Sequence, residues 1–152
     1  MSIQTVGIIG AGTMGNGIAQ ACAVSGVNVV MVDISEAAVA KGIATVGSSL
    51  DRLIKKEKMT EAEKTAALGR IHGSTQYQDL QKAQLVIEAA TENFDLKVKI
   101  LKQVDSLLAE DVIVASNTSS ISITKLAAAT TRADRFIGMH FFNPVPMMAL
   151  VE

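Results

Sequence analysis

The chain is poor in several residue types, and each shortage excludes a class of protein. Its 152 residues include one cysteine, two prolines, no tryptophan, one tyrosine and four phenylalanines. The single cysteine, Cys22, cannot form a disulfide within the chain, and we expect it to be a small apolar side chain on the first helix. The formal net charge is only −1. With few aromatics as well, the sequence offers neither the basic surface nor the stacking platform that nucleic-acid binding requires.

Long apolar runs, targeting signals and metal-binding patterns are also lacking. Although 49% of the residues are hydrophobic, the apolar runs have the length of strands and stay well short of the roughly 18 residues of a membrane span. The N-terminus leads into an apolar strand without a basic region or a cleavage site. No group of Cys, His and carboxylate residues has metal-site spacing. We therefore expect a cytoplasmic protein with no membrane anchor and no metal.

What the sequence does contain is a glycine-rich turn at its start. Apolar residues 6–9 lead into Gly10-Ala11-Gly12-Thr13-Met14-Gly15, and apolar residues at helical spacing follow from Ile18. In a strand-turn-helix unit, the first glycine permits the tight turn, and the second lets a pyrophosphate approach the backbone. The third lets the helix pack closely on the strand. Residues 10–15 are therefore candidates for binding a dinucleotide.

The second apolar segment, residues 27–32, ends in Asp33. Asp33 lies 33 − 10 = 23 residues after the first glycine. This separation is close to the spacing at which an acid binds the adenosine ribose. A carboxylate there repels a 2′-phosphate, and no Arg or Lys stands within several residues of it, so NAD is favoured over NADP. The alternative is that Asp33 only shapes a turn or caps the helix beginning near Ser35.

Strand and helix patterns alternate along the whole chain. Strands are predicted near residues 3–9, 27–32, 84–88, 112–115 and 135–141, with a short one possible at 70–73. Such alternation predicts an α/β fold with a doubly wound, mostly parallel sheet, forming one dinucleotide-binding domain over residues 1–152. Residues 36–68 are predicted to form a projecting helical hairpin, broken near Met59, where Thr60 and Glu63 make a capping box. The basic run at residues 52–58 is either a solvated helix face or a cationic patch for the phosphates of a large substrate.

Polar residues follow three of the predicted strands, where ligands of open parallel sheets bind. Glu92 and Lys97 follow the strand at 84–88, although both could simply be exposed. Residues 116–120 follow the next strand, and there Ser119 could donate a hydrogen bond to a substrate oxygen or only cap a helix near Ser122. His140 ends the last strand, and the chain then turns at two prolines towards Glu152. An imidazole with a carboxylate partner can act as a general base, but an isolated histidine on an apolar strand can also be a core residue bonded to a backbone carbonyl.

Together these segments resemble the 3-hydroxyacyl-CoA dehydrogenase family, in particular its 3-hydroxybutyryl-CoA dehydrogenase branch. The resemblance covers the whole chain. It is carried by the glycine turn at 10–15, by Leu85-Val-Ile-Glu-Ala with Glu92-Asn93, by Ala115-Ser-Asn-Thr-Ser-Ser120 and by Gly138-Met-His-Phe-Phe-Asn-Pro-Val-Pro146. The last two motifs are far more specific to this family than the glycine turn.

The resemblance also implies roles for individual residues. His140 is expected to be the catalytic base, with Glu152 as its acidic partner and Ser119 in contact with both the nicotinamide side and the substrate oxygen. Asp33, Glu92, Lys97 and Asn143 correspond to cofactor-binding positions, and Asn143 is also expected near the substrate. Ser49 and Lys56 fall where the helical hairpin of the family meets CoA.

The implied reaction is the NAD-dependent oxidation of a 3-hydroxyacyl-CoA to a 3-oxoacyl-CoA, or its reverse, in fatty acid metabolism. The family architecture implies a homodimer and a further C-terminal helical domain, which these 152 residues do not include. An NAD-binding module without independent catalysis therefore remains an alternative. The nearest rival enzymes are 3-hydroxyacid or 6-phosphogluconate-type dehydrogenases, which normally use a lysine base, and no lysine follows the last predicted strand.

Overall fold

Strands and helices alternate along the computed structural model, which describes residues 2–152. The strands are β1 (Thr5–Ile9), β2 (Asn28–Val32), β3 (Ile71–Ser74), β4 (Leu85–Glu88), β5 (Ile113–Ser116) and β6 (Phe136–Gly138). The helices are α1 (Thr13–Val24), α2 (Glu36–Lys55), α3 (Glu61–Arg70), α4 (Phe94–Asp105) and α5 (Ile123–Ala128). Short 3₁₀ turns lie at Tyr77–Lys82, Ala133–Arg135 and Val145–Met147.

All six strands form a single parallel sheet in the order β3-β2-β1-β4-β5-β6. The order reverses at β1, which pairs with β2 on one side and with β4 on the other. In this register Ile9, at the end of β1, lies beside both Val32 and Glu88. The carboxyl ends of these three strands therefore meet at the point where an open α/β sheet forms its ligand crevice.

Alternate residues of the central strands enter two separate cores. Ile8 packs on one face of the sheet with Ile18 of α1 and Leu50 of α2. Its neighbour Ile9 packs on the opposite face with Leu101 of α4 and Leu126 of α5. Because successive side chains of a strand point to opposite faces, the strands are apolar on both sides and helices cover both. The predicted doubly wound α/β fold is confirmed.

The predicted helical hairpin corresponds to α2 and α3. These two helices contact each other, α1 and the edge strand β3. A helix of 20 residues is about 30 Å long, whereas a five-residue strand spans only about 17 Å, so α2 extends past the sheet. Thr60 accepts a hydrogen bond from the Glu63 amide, and the Glu63 side chain accepts one from the Thr60 amide, which is the predicted capping box.

The last strand is shorter than the sequence predicts. It was expected over residues 135–141, but β6 ends at Gly138, and Phe141 instead forms an antiparallel bridge with Val151. The reason is local: beyond Met139 the backbone bonds to the Asn117 side chain and to Glu152 rather than to a parallel neighbour. The first strand likewise begins at Thr5 rather than at residue 3.

Residues 2–152 contain neither a membrane-spanning helix nor a metal-binding cluster. No helix there is both long enough and apolar enough to cross a membrane. No cluster of three or more His, Cys, Asp and Glu residues in the same range could hold a metal ion. Cys22 lies partly buried on α1, and burial raises the pKa of its thiol to about 11.

Candidate cofactor and catalytic site

Two glycines of the turn between β1 and α1 are required by the protein's own packing. Gly10 has a φ of +107°, in the region that favours glycine, and a Cβ there would lie 2.7 Å from the Ala89 carbonyl oxygen. A Cβ on Gly15 would lie 1.8 Å from the Gly10 carbonyl oxygen. The turn therefore fits closely between α1 and the end of β4 before any ligand is considered.

Gly12 differs, because no protein atom requires it to be glycine. A Cβ added there would meet nothing within 4 Å. Gly12 is also the N-cap of α1, and no side chain caps this helix start. Backbone N–H groups at the start of a helix attract anions. The open space before α1 is thus a cradle that a Cβ would partly fill, and it fits the predicted pyrophosphate of a dinucleotide.

Asp33 lies directly beside this turn. One carboxylate oxygen accepts a hydrogen bond from the Ala11 amide at 2.8 Å, and the other accepts one from the Ile34 amide at 2.7 Å. The cap of α2 is Ser35, whose hydroxyl accepts a hydrogen bond from the Ala38 amide. The interpretation of Asp33 as a helix cap is therefore wrong, and the carboxylate instead joins the end of β2 to the glycine turn.

A cleft of about 290 Å³ opens next to Asp33, between the ends of β1 and β2 and the first turns of α4. Burial, and after it the negative charges of Asp33 and Glu88, raise the pKa of the Tyr77 hydroxyl, which lines this cleft. Lys99 lines it too. No basic residue is near Asp33 in the sequence, so only the fold brings this ammonium to the cleft.

A buried ion pair lies beneath the ends of β4 and β5. Lys97 Nζ lies 2.5 Å from Glu88 Oε1, and the Ser116 hydroxyl donates to the same oxygen at 2.8 Å. The other Glu88 oxygen accepts a hydrogen bond from the Ala90 amide. Lys97 is only 1% exposed, so the suggestion that it is a surface residue is wrong. Its predicted contact with the cofactor stays a prediction.

Glu92 joins the two loops that follow β4 and β5. One of its oxygens accepts hydrogen bonds from the Thr118 hydroxyl at 2.8 Å and from the Ser120 hydroxyl at 2.9 Å. Between these two residues, Ser119 is exposed, and within residues 2–152 its hydroxyl makes no hydrogen bond. The cap of α5 is Ser122, whose hydroxyl accepts from the Lys125 amide. The capping interpretation of Ser119 is therefore wrong, and its hydroxyl is available to a ligand.

His140 lies just beyond β6, and its backbone pairs with that of Glu152. The His140 amide donates to the Glu152 carbonyl oxygen at 2.7 Å, and the Glu152 amide donates back at 2.9 Å. The imidazole is half-buried and lies against the Phe142 ring, with a centroid distance of 4.5 Å. Within the described residues, 2–152, no hydrogen bond joins the imidazole to a backbone carbonyl or to the Glu152 carboxylate. The interpretation of His140 as a core histidine bonded to a backbone carbonyl is wrong.

The two proposed CoA contacts lie in a groove of about 560 Å³. Ser49 of α2 and Lys56, the residue that caps the end of this helix, both line it, and their separation of seven residues is close to two helical turns. Asn143, in the loop before the last 3₁₀ turn, lines the same groove. Arg52 and Lys58, from the basic run at residues 52–58, also line the groove.

Residues 5–152 match the family described as 3-hydroxyacyl-CoA dehydrogenase, NAD binding domain. The chain belongs to this family. The predicted family is therefore confirmed, and its description also confirms NAD as the cofactor.

Individual relatives agree with the family. A 3-hydroxybutyryl-CoA dehydrogenase from Bradyrhizobium diazoefficiens is 51% identical over 150 residues, which are 99% of this chain and 51% of that protein. The fatty acid oxidation complex subunit alpha from Psychrobacter arcticus is 43% identical over 99% of this chain, but only 21% of that protein is covered.

Solved structures agree as well. A crystal structure of (S)-3-hydroxybutyryl-CoA dehydrogenase from Ralstonia eutropha has a TM-score of 0.98 and 79% identity, covering 99% of this chain and 53% of that one. That of 3-hydroxybutyryl-CoA dehydrogenase from Escherichia coli K12 has a TM-score of 0.96 and 38% identity, with 99% and 32% coverage. The chain spans about half the length of most of the 3-hydroxybutyryl-CoA dehydrogenases that it matches.

Sequence reasoning did not assign a role to Asn117, whose side chain contacts the His140 segment. Asn117 belongs to the polar segment after β5, but its sequence position does not indicate its contact. Its side-chain oxygen accepts a hydrogen bond from the Phe141 amide at 2.9 Å, across 24 residues of sequence. The signal that could have found it is a polar residue directly after a buried strand, at the edge of the sheet where the His140 segment must pass.

Proposed function

We propose that the whole protein is an NAD-dependent dehydrogenase that interconverts a 3-hydroxyacyl-CoA, such as 3-hydroxybutyryl-CoA, and the corresponding 3-oxoacyl-CoA in fatty acid metabolism. Residues 1–152 would form its dinucleotide-binding domain, with the helical hairpin at about residues 36–68. The observation that carries this proposal is the attachment of the His140 segment to the end of β5. Met139 donates to the Ser116 carbonyl and Phe141 to the Asn117 side chain, which brings the imidazole to the ligand-binding edge of the sheet.

Each side chain at this edge has a role in the proposed reaction. An imidazole nitrogen of His140 takes the proton of the substrate hydroxyl during oxidation and returns it during reduction. The carboxylate of Glu152, whose backbone pairs with that of His140, stabilises the imidazolium that results. The exposed Ser119 hydroxyl donates a hydrogen bond to the substrate oxygen. NAD, when bound, supplies the hydride acceptor.

The groove beside α2 is suited to the CoA part of the substrate. Three cations line it within seven residues of sequence, Arg52, Lys56 and Lys58. CoA carries several phosphate charges, and basic residues concentrated in a cleft attract such an anion. Asn143 lines this groove and belongs to the segment that follows His140. It therefore connects the expected CoA-binding groove to the expected reacting centre.

A second candidate is an NAD-binding module without independent catalysis. It is favoured by one observation: the family that residues 5–152 match is described as an NAD binding domain. Such a module would have no use for a half-buried imidazole on a residue whose backbone pairs with that of Glu152. Nor would it need the exposed Ser119 between the two residues that bond to Glu92. For the complete protein we also expect a cytoplasmic location and a homodimer.

The two candidates separate in one pair of measurements. Calorimetric titration of the chain with NAD and NADP tests the cofactor site, and absorbance at 340 nm with 3-hydroxybutyryl-CoA tests turnover, with and without the C-terminal part of a family member added in trans. We expect NAD binding by the chain alone, and turnover that is weak alone and rises on complementation. Full turnover by the chain alone would contradict the expected need for a second domain. NAD binding without turnover under either condition would favour the binding module.

The role of Asp33 is tested in the same titration. Asp33→Asn keeps an acceptor beside the Ala11 amide but removes the charge that repels a 2′-phosphate. We expect the preference for NAD over NADP to fall by about tenfold, which corresponds to about 1.4 kcal/mol. Asp51→Asn is the matched control, because Asp51 bonds only to Lys64 on the surface of the hairpin. An unchanged preference in Asp33→Asn would show that another group selects the cofactor.

A further inference from the structure

The backbone that carries His140 is held by only a few contacts. β6 ends at Gly138, and one further ladder hydrogen bond joins the Met139 amide to the Ser116 carbonyl at 2.9 Å. From His140 onward the chain has left the parallel sheet. The His140 backbone pairs with Glu152, and residues 151–152 are themselves exposed. This pairing alone therefore cannot fix the position of the imidazole relative to the sheet.

Asn117 supplies the contact on the other side of His140. Its side-chain oxygen accepts the hydrogen bond of the Phe141 amide at 2.9 Å. The backbone N–H of Asn117 donates to the Glu88 backbone carbonyl at 2.9 Å, and Asn117 is 9% exposed. Because an N–H group must meet an acceptor, the amide oxygen of Asn117 has to face Phe141. The contact therefore depends on this side chain, whereas the Met139 contact is made by backbone alone.

The anchor behind Asn117 is rigid. Glu88, whose carbonyl holds Asn117, is fully buried, and its carboxylate binds Lys97, Ser116 and the Ala90 amide. Asn117 thus links the ends of β4 and β5 to Phe141, the residue after His140. With the amides of Met139 and Phe141 both bonded to residues at the end of β5, the backbone of His140 is fixed from both sides, and with it the point from which the imidazole extends.

We infer that Asn117 is a positioning residue for His140: its side-chain oxygen fixes the Phe141 backbone and thereby aims the imidazole at the substrate. The inference rests on the proposed function of His140 as the base. A displacement of about 1 Å at a reacting group can cost about 100-fold in rate. Loss of this one acceptor should therefore reduce turnover without removing any group that touches the cofactor or substrate.

Three variants test this inference. Asn117→Leu has nearly the same size and lacks the acceptor, whereas Asn117→Asp keeps an oxygen in the same place. Gln84→Leu is the matched control, since the Gln84 side-chain oxygen accepts backbone hydrogen bonds from Gln4 at 3.0 Å and from Thr5 at 2.9 Å at the opposite end of the sheet. The direct readout is NMR contacts between the imidazole of His140 and the ring of Phe142. The protein has only two histidines, so the imidazole signals are readily assigned.

In Asn117→Leu we expect the contacts between these two rings to weaken and kcat to fall 10- to 100-fold. KM and the affinity for NAD should stay within about twofold. Asn117→Asp should restore the ring contacts and most of kcat. Gln84→Leu should lower Tm and change neither the ring contacts nor kcat.

Several results would overturn the inference. Unchanged ring contacts in Asn117→Leu would do so, and so would an equal loss of ring contacts and kcat in Gln84→Leu. A loss of NAD affinity in Asn117→Leu without a change in the ring contacts would also contradict it. If Asn117→Leu does not fold, hydrogen exchange of the Phe141 amide in the unaltered protein decides, because rapid exchange there contradicts a firm bond to Asn117. Absence of turnover in every variant would count against the proposed function, while the ring contacts would still test Asn117.

Discussion

The backbones of His140 and Glu152 exchange both possible hydrogen bonds, at 2.7 and 2.9 Å. Residues paired in this way in antiparallel strands point to the same face, with Cβ atoms about 5 Å apart. The fold therefore places the proposed base beside the proposed acid through main-chain pairing. A change of side-chain rotamer is then sufficient to bring the carboxylate to the imidazole.

Replacing His140 should separate catalysis from cofactor binding. His140→Ala removes the only imidazole at the site, and because a positioned base typically contributes about 10² to 10⁴ in rate, we expect a loss of that size in NAD reduction at 340 nm. NAD affinity should stay within about twofold. His72→Ala, on the distant edge strand β3, is the control and should affect neither quantity. A comparable loss of NAD affinity in His140→Ala would mean that the histidine is structural.

Two glycines of the same turn should respond oppositely to the same substitution. In Gly12→Ala the new methyl group meets no protein atom, so the free energy of unfolding should change by less than about 1 kcal/mol, whereas NAD affinity should fall at least tenfold. In Gly15→Ala the methyl group would overlap the Gly10 carbonyl, and we expect a severe loss of stability. Thermal unfolding and calorimetric titration measure both effects. Normal NAD binding by Gly12→Ala would place the pyrophosphate elsewhere.

Arg132 should stabilise the protein at the end of the sheet away from the cofactor. It is 4% exposed, binds the Asp105 carboxylate, and donates to the carbonyls of Ala109 and Val112. Breaking a buried ion pair from one side costs about 3–5 kcal/mol, and we expect a loss of that size in Arg132→Met. The control is Arg135→Met, since Arg135 is exposed. Equal chemical denaturation curves for the two variants would contradict this role.

The same ion pair predicts a loss of stability in acid. Burial acts to raise the pKa of the Asp105 carboxyl, but hydrogen bonds from Arg132 and Thr131 outweigh it and lower that pKa below the usual value of an aspartate. The carboxylate therefore stabilises the fold above about pH 4, and this contribution is lost as the pH falls through the lower, folded-state pKa. In Asp105→Asn, unfolding free energy measured between pH 5 and pH 2 should depend less steeply on pH. An identical slope would assign acid sensitivity to other groups.

Lys97 and Glu88 should affect NAD binding equally if they act as a pair. Their contact holds the loop after β4, where the Ala90 amide bonds to Glu88 and where the Gly10 turn packs. We therefore expect Lys97→Met and Glu88→Gln to reduce NAD affinity by similar factors, and the double variant to be more stable than Lys97→Met alone. Calorimetry and thermal unfolding provide both numbers. A loss of affinity confined to Lys97→Met would indicate direct contact between this lysine and the cofactor.

The success and failure of sequence reasoning can be traced to particular residues. The glycine turn, Asp33 and the strands of the sheet are local patterns, in which a spacing of 2 or 3.6 residues and a positive φ leave a direct mark on residue types. Ser35, and not Asp33, proved to be the helix cap, because two neighbouring residues offered the same chemistry. The end of β6 was overestimated since residues 139–141 are apolar enough for a strand, yet their partners are Asn117 and Glu152.

The sequence by itself determined that this protein is a doubly wound α/β domain with a dinucleotide turn, because periodicity and glycine positions are properties of short segments. Only the tertiary structure decided which distant residues meet: Lys99 beside Asp33, Arg52 and Lys58 beside Asn143, Lys97 buried on Glu88, and Asn117 holding the backbone of Phe141. The physical reason is that a parallel sheet gathers the ends of strands separated by dozens of residues. Contacts made there depend on strand order and register, which no local pattern records.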